Sequence, residues 1–459
     1  MAYKDLWEFV QRLEEEGELV RISEELDPKM EAAALITELG KIKGPAVLME
    51  KVRGYDTPVA GNLMGSMRRL ALALEATEEK FLEEYDKRIG SGIPWVEVKE
   101  APVKEIIYKG DEVDIFREVP ALTFHEGDAS PYITSGVAFI KDPITGKKSM
   151  GIHRIQMKGK NKLGIYISEA SPNLKKLIKE VEKREQELEV AVALGVEPAM
   201  VIASFSTSGA VADKLQLAGS LRGEPLEMVQ GETVDFEVPA NAMFILEGKI
   251  PPGIRELDGP FGESTGCYIS VQSPIIQVNA LTRRKKPIIS FFQTFSEDDA
   301  LFSDVLMSHQ TRKFLRLMFP YITDVACSIQ HNVIAISIKK ENEWDARGLL
   351  HYICALFALS KLAIIVDDDI NVHNFNEVAW AVAARFQPDK DIVQISKVMS
   401  NPLDASLDGG VIGSKLGIDA TKPLDRAGLY KMVDLAEEPK KKAQELLKKI
   451  GLSRMEECQ

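Results

Sequence analysis

The segment ELDGPFGESTG (256–266) sets two carboxylates, Asp258 and Glu263, five positions apart with glycines and a proline between them. That composition makes the chain turn, so both acids can converge on one substrate. Side by side, two carboxyls take unequal affinities for a proton, and one can act as a general acid. In isolation, such a loop reads equally well as an ordinary turn. Arg154, in MGIHRIQMKGKNKLGIYIS (150–168), is suited to clamp a carboxylate through two parallel N–H donors. On a strand His153 and Arg154 face opposite ways, so only one can line a pocket, and a plain surface arginine is the alternative. Asp367, Asp368 and Asp369 end an apolar run. Alternation points Asp367 and Asp369 the same way, toward a cation or, more simply, toward capping and turn hydrogen bonds.

Other chemistries are excluded. ITGKKS (144–149) lacks the earlier glycine of a Walker A loop, because position 141 is Lys, and GVIGSKLG (410–417) has Ser414 before Lys415. No G-x-G-x-x-G and no G-x-S-x-G is present. The six histidines, at 125, 153, 309, 331, 351 and 373, include no pair at the i, i+4 spacing of a zinc helix.

The elements that must position these residues fall into three stretches. Residues 1–104 read as α/β: a helix with Leu6, Phe9, Val10 and Leu13 on one face stops near Gly17. A second helix follows Asp27-Pro28, and PAVLMEKV (45–52) is a strand. Over 105–298, short apolar runs alternate with turn signals, which predicts a β-rich barrel or sandwich. AMVIASF (199–205) counts as one of its strands, and a helix over 174–188 interrupts it. Residues 299–459 alternate helix and strand again, with a final lysine-rich helix near 438–450.

The chain has 459 residues, about three domains' worth. Lys plus Arg minus Asp plus Glu is 57 − 70 = −13, which argues against nucleic acid or an anionic membrane as the main partner. Four scattered cysteines, Cys267, Cys327, Cys354 and Cys458, form no C-x-x-C pair and suit a reducing cytoplasm. The charged N-terminus lacks an apolar signal region, and no run of 18 apolar residues predicts a membrane span.

Taken in order, several segments resemble one family. They are SGVAFIKDP to GIHRIQMKGKNKLG (135–164), AVALGVEPA (191–199), LRGEPLEMVQGETVDFEVPANAMFILEGKI (221–250) and DGPFGESTG (258–266), then LAIIVDDDINVHNFNEVAWAVAARFQPDKD (362–391) and GSKLGIDAT (413–421). The series is similar to the UbiD-type decarboxylases, which use prenylated FMN to remove or add CO2 at unsaturated and aromatic acids. The resemblance implies an N-terminal α/β region (1–104), a flavin-reductase-like split β-barrel binding the cofactor (105–298), and a C-terminal α/β oligomerisation domain (299–459). It implies a catalytic set of Arg154, Asp258 and Glu263, with Asp258 where glutamate is common. Arg154 would hold the substrate carboxylate, Glu263 would donate the proton, and Asp258 would orient the arginine.

It further implies that Ile152, His153, Arg154, Tyr166, Ile167 and Ser168 line the flavin, while Lys415 approaches its phosphate. A divalent cation such as Mn2+, with K+, would hold that phosphate through Glu227, with Ser149 standing where asparagine is usual and Glu169 standing in for a missing histidine. Phe291, Phe292, Phe295 and Leu301 are candidates for the pocket wall. The implied partners are a carboxylic acid, CO2, a flavin prenyltransferase as cofactor supplier, and further copies of the chain as a homodimer or assembly of dimers. Two alternatives stay open: a decarboxylase of anhydromevalonate phosphate in archaeal isoprenoid synthesis, and an accessory subunit of a larger carboxylase.

Overall fold

The computed structural model describes residues 3–168, 171–206, 213–407, 410–430, 432–433 and 435–450. They form two compact units, one of residues 1–313, 327–332 and 400–413, the other of 314–326, 333–399 and 414 onward.

The first unit begins with helix Leu6–Glu15, capped by the Asp5 carboxylate and burying the expected Leu6, Phe9, Val10 and Leu13. A four-stranded sheet follows, in the order Leu19–Leu26, Ala46–Val52, Val59–Gly61, Ile289–Ser290. The second helix starts later than Asp27-Pro28 predicts, at Glu31. Asp27 accepts the Lys29 N–H (2.8 Å) and the Glu31 side chain reaches back to the Asp27 N–H (2.7 Å), so these residues form a turn ahead of the helix.

The β-rich region is a ten-stranded sheet curled into an open half-barrel. Along its main path run Tyr132–Ile133, Ile155–Gly159, Lys162–Ile165, Tyr268–Arg283, Phe244–Ile250, Leu188–Leu194, Val137–Lys141 and Lys148–Ile152. Neighbours on that path pair antiparallel. The long strand Tyr268–Arg283 also carries Arg255–Gly262, the strand that contains Asp258. A register break between Asp258 and Phe261 lets the chain bend between Asp258 and Glu263, which follows the strand. One continuous apolar core runs from Tyr3 to Leu306, so the N-terminal region and the half-barrel share an interior.

Two elements differ from expectation. AMVIASF belongs to helix Pro198–Phe205, buried on nearly every side, with proline in its first turn. An apolar run without polar alternation carries no period to tell strand from buried helix. The helix expected to reach 188 is Pro172–Glu182, and the chain turns through Glu185 at φ +54 before strand Leu188–Leu194.

The second unit is built on a five-stranded sheet in the order Ile322–Ser328, Val333–Ile338, Leu362–Asp367, Ile412–Asp419, Ile392–Met399, whose central three strands are parallel. Val366, Val378 and Ala381 lie in its core with helix Phe375–Arg385. Helix Glu437–Lys449 buries none of its residues. Among the described residues, no helix is long and apolar enough to cross a membrane.

Candidate active site

Arg154 follows the last strand of the sheet path, Lys148–Ile152, and the two acids lie 104 and 109 residues away in sequence. The fold brings all three together. Arg154 donates from Nη2 to Asp258 Oδ1 at 2.9 Å and from Nη1 to Glu263 Oε1. The guanidinium lies 4.7 Å from the Tyr166 ring centre and 5.2 Å from that of Phe261. Asp258 is wholly enclosed, and Glu263 and Arg154 are buried. Burial opposes the arginine's charge, but the two carboxylates outweigh it and hold its proton more firmly than usual. Burial also raises Glu263 above the carboxylate range, and Arg154 offsets only part of that rise. Arg154 Nε and Asp258 Oδ2 are buried with no partner. The trio therefore keeps one free donor and one free acceptor.

Residues with no motif hold this geometry. Tyr132 donates to Asp258 Oδ1 at 3.2 Å. Asp128, its side chain fully enclosed, accepts the Gly262 N–H (2.9 Å) on Oδ1 and the Phe124 (3.0 Å) and His125 (2.8 Å) N–H groups on Oδ2. Thr294 donates to the Gly262 carbonyl at 2.7 Å. Both polar groups of Gly262, the residue before Glu263, are thus fixed. A Cβ at Gly262 would come within 2.4 Å of His125 Nδ1, so any larger residue there would displace the His125 ring.

The segments expected to line the flavin flank the arginine. His153 donates from Nδ1 to the Tyr166 carbonyl at 3.2 Å, and burial pushes its pKa down to about 4, aided by the nearby charge of Lys214. The ring is neutral at pH 7, with Nε2 left as an acceptor. Ile152, Tyr166 and Ser168 are half-buried and Ile167 is buried. A neutral imidazole, aromatic and aliphatic faces, and the unpartnered donor and acceptor fit a planar polar heterocycle such as a flavin.

Of the residues expected to hold a metal, two lie on different strands, Ser149 on Lys148–Ile152 and Glu227 on Glu227–Gln230. Ser149 is exposed on its strand. The Glu227 carboxylate accepts from Asn241 Nδ2 at 2.8 Å, and Glu169 lies outside the described residues. Among the described residues, no three His, Cys, Asp or Glu side chains converge as metal ligands. Lys415 is buried in the second unit, its amine donating to the Phe357 carbonyl. Asp367 and Asp369 do point the same way, and both engage Arg385, at 2.9 and 3.0 Å from its Nη1. Of the expected pocket wall, Phe291 packs in the core against Phe124, Phe292 stacks on Phe302, Leu301 is half-buried and Phe295 is exposed.

Family models for the 3-octaprenyl-4-hydroxybenzoate carboxy-lyase N-terminal, Rift-related and C-terminal domains match residues 10–89, 95–295 and 301–420. An uncharacterized protein of Archaeoglobus fulgidus is 33% identical over 455 residues, 92% of each chain. The UbiD-class enzyme HmfF from Pelotomaculum thermopropionicum, solved in complex with FMN, is 33% identical with a TM-score of 0.85, covering 95% of this chain and 98% of that one. An evolved dimeric form of HmfF in complex with prFMN, at the same identity and coverage, has a TM-score of 0.82. Vanillic acid decarboxylase of Sedimentibacter hydroxybenzoicus, in its closed form, is 28% identical with a TM-score of 0.85, covering 98% of this chain and 100% of that one.

Proposed function

We propose a specific reaction from the premise that this chain belongs to the UbiD family of carboxy-lyases. It is the non-oxidative, reversible decarboxylation of an aromatic, heteroaromatic or α,β-unsaturated acid with prenylated FMN. The observation that carries this reading is one guanidinium bridging two buried carboxyls in unequal surroundings. Bound prenylated FMN supplies an electron-poor ring that accepts the electron pair released as CO2 leaves. The chain's residues do the rest. The free Nε–H of Arg154 is the donor open to a substrate carboxylate. Asp258, held by Tyr132, keeps the guanidinium aimed. Glu263, which burial favours in its protonated form, delivers that proton to the carbon CO2 has left. Enclosure of all three excludes water from competing as the proton source. In this reading the working form is a homodimer or assembly of dimers.

Vanillic acid decarboxylase as a neighbour supports an aromatic acid as first choice. The test is anaerobic purification from cells that also express a flavin prenyltransferase, mass spectrometry of the released cofactor, then a panel of acids beginning with vanillate. Glu263→Gln should retain the cofactor and lose turnover; turnover at the wild-type rate would remove Glu263 as proton donor. A folded protein that stays empty of flavin would favour the accessory-subunit reading.

A further inference from the structure

Decarboxylation consumes one proton per turnover, because a carboxylate leaves as CO2 and a C–H bond takes its place. Glu263 gives up its proton to that carbon and must regain one before the next substrate. It is only 6% exposed, so bulk water does not reach it freely. Asp258 is no source: it is wholly enclosed, and its Oδ1 already holds both Tyr132 and Arg154. Arg154 keeps its own proton more firmly than usual. A further group must carry the proton inward.

The helix Glu297–Arg316 starts against the residues on either side of Glu263. Thr294 donates to the Gly262 carbonyl at 2.7 Å, and the Phe295 ring lies 2.8 Å from where a Cβ of Gly266 would stand. The first turn carries Glu297, Asp298 and Asp299, which the helical step of about 100° per residue points three ways. Glu297 is exposed. Asp298 turns to the N-terminal region and accepts the Met64 N–H at 3.1 Å. Asp299 turns to the segment after Gly262, where it accepts from the Ser264 hydroxyl as well as from the Phe295 N–H. Its charge raises Glu263 more than that of Asp258 does. Asp299 and Ser264 are half-buried, so the path from Glu263 through them meets solvent. Burial lifts the Asp299 carboxyl to about 6, which lets it both collect and release a proton near neutral pH.

We propose that Asp299 is the relay acid of the site, taking a proton from solvent and passing it to Glu263 after each turnover. The proposal rests on the decarboxylase reading above. Glu263 gives its proton to the carbon that CO2 has left and becomes a carboxylate. Protonated Asp299 gives its proton to that carboxylate, and the Asp299 carboxylate takes the next one from water.

The experiment uses enzyme loaded with prenylated FMN and the acid of the panel above that it turns over fastest, with CO2 release followed after rapid mixing. Glu263 starts out protonated in Asp299→Asn, so the first turnover should run at the wild-type rate and later ones about tenfold to a hundredfold slower. Imidazole buffer, a small proton carrier, should restore much of the later rate, and Asp299→Glu should keep most of it. A steady-state rate in Asp299→Asn within twofold of wild type overturns the proposal. So does a first turnover slowed as much as the later ones, which is what a structural role would give. A second readout needs neither cofactor nor substrate. It is carboxyl 13C NMR of the cofactor-free protein labelled on glutamate, with the Glu263 signal assigned by its absence in Glu263→Gln. That carboxyl should titrate about half a pH unit or more lower in Asp299→Asn, where the neighbouring charge is gone. An unchanged titration overturns the proposal and leaves the decarboxylase reading standing. A flavin-loaded wild type that turns over no acid overturns that reading and this proposal with it.

Discussion

Replacing Asp128 with asparagine should unhook Glu263 without touching it. The enclosed carboxylate accepts three N–H groups, Gly262 on one oxygen and Phe124 with His125 on the other. An asparagine offers one oxygen and one NH2. Its better orientation keeps the oxygen on the Phe124–His125 pair and turns the NH2 toward the Gly262 N–H. One charge-assisted bond is then lost and a buried donor faces another donor, at a cost of about 3 kcal/mol. For a unit of this size that lowers the melting temperature by roughly 4 °C. Thr294 still holds the Gly262 carbonyl, so the strand end loosens without unfolding. A displacement near 1 Å at a proton donor reduces turnover about a hundredfold. Hydrogen–deuterium exchange of a peptide covering 258–266 should rise in the variant and stay unchanged in strand Leu188–Leu194, while kcat falls and retained flavin does not. Wild-type exchange in that peptide together with wild-type kcat would refute the reasoning.

Tyr132→Phe removes the hydroxyl on Asp258 and should lower kcat roughly threefold to tenfold with flavin content unchanged, measured by steady-state assay against bound-flavin absorbance. Asp298 is raised by burial to about 7 from a usual value near 4. The folded state thus holds its proton where the unfolded chain has released it, and the stability this proton gives is complete below pH 4 and lost as pH rises toward 7. Melting temperatures of Asp298→Asn minus wild type should therefore climb across pH 4 to 7; a flat difference would contradict the raised value. Arg385 pairs with Asp367 and Asp369 and donates to the Tyr430 carbonyl. Arg385→Ala leaves Asp369 with Lys422 Nζ and Asp367 with only the Lys422 N–H, and should cost about 3 kcal/mol in denaturant unfolding.

Much of the fold was legible because amphipathic helices repeat their period, as Leu6–Glu15 does, and short apolar runs between turn signals mark strands, as Ala46–Val52 does. AMVIASF misleads for want of polar positions. In the site, Asp258 and Glu263 announce themselves through the glycines and proline that force their turn. Asp128, Tyr132 and Thr294 do not. Their contribution is a hydrogen bond to a residue 126, 134 or 32 positions away, which no local pattern encodes.

The guanidinium shared by two acids also fixes a charge count. Arg154 brings one positive charge to a closed space already holding two carboxyls. A substrate carboxylate would be a third, and three negative charges against one positive charge cannot be stable there. With substrate the four groups sum to −2, and protonating one resident brings them to −1; burial assigns that proton to Glu263. Loading the acid and loading the proton are then one thermodynamic event. The substrate brings about its own proton uptake, and its affinity should weaken about tenfold for each pH unit above the Glu263 pKa.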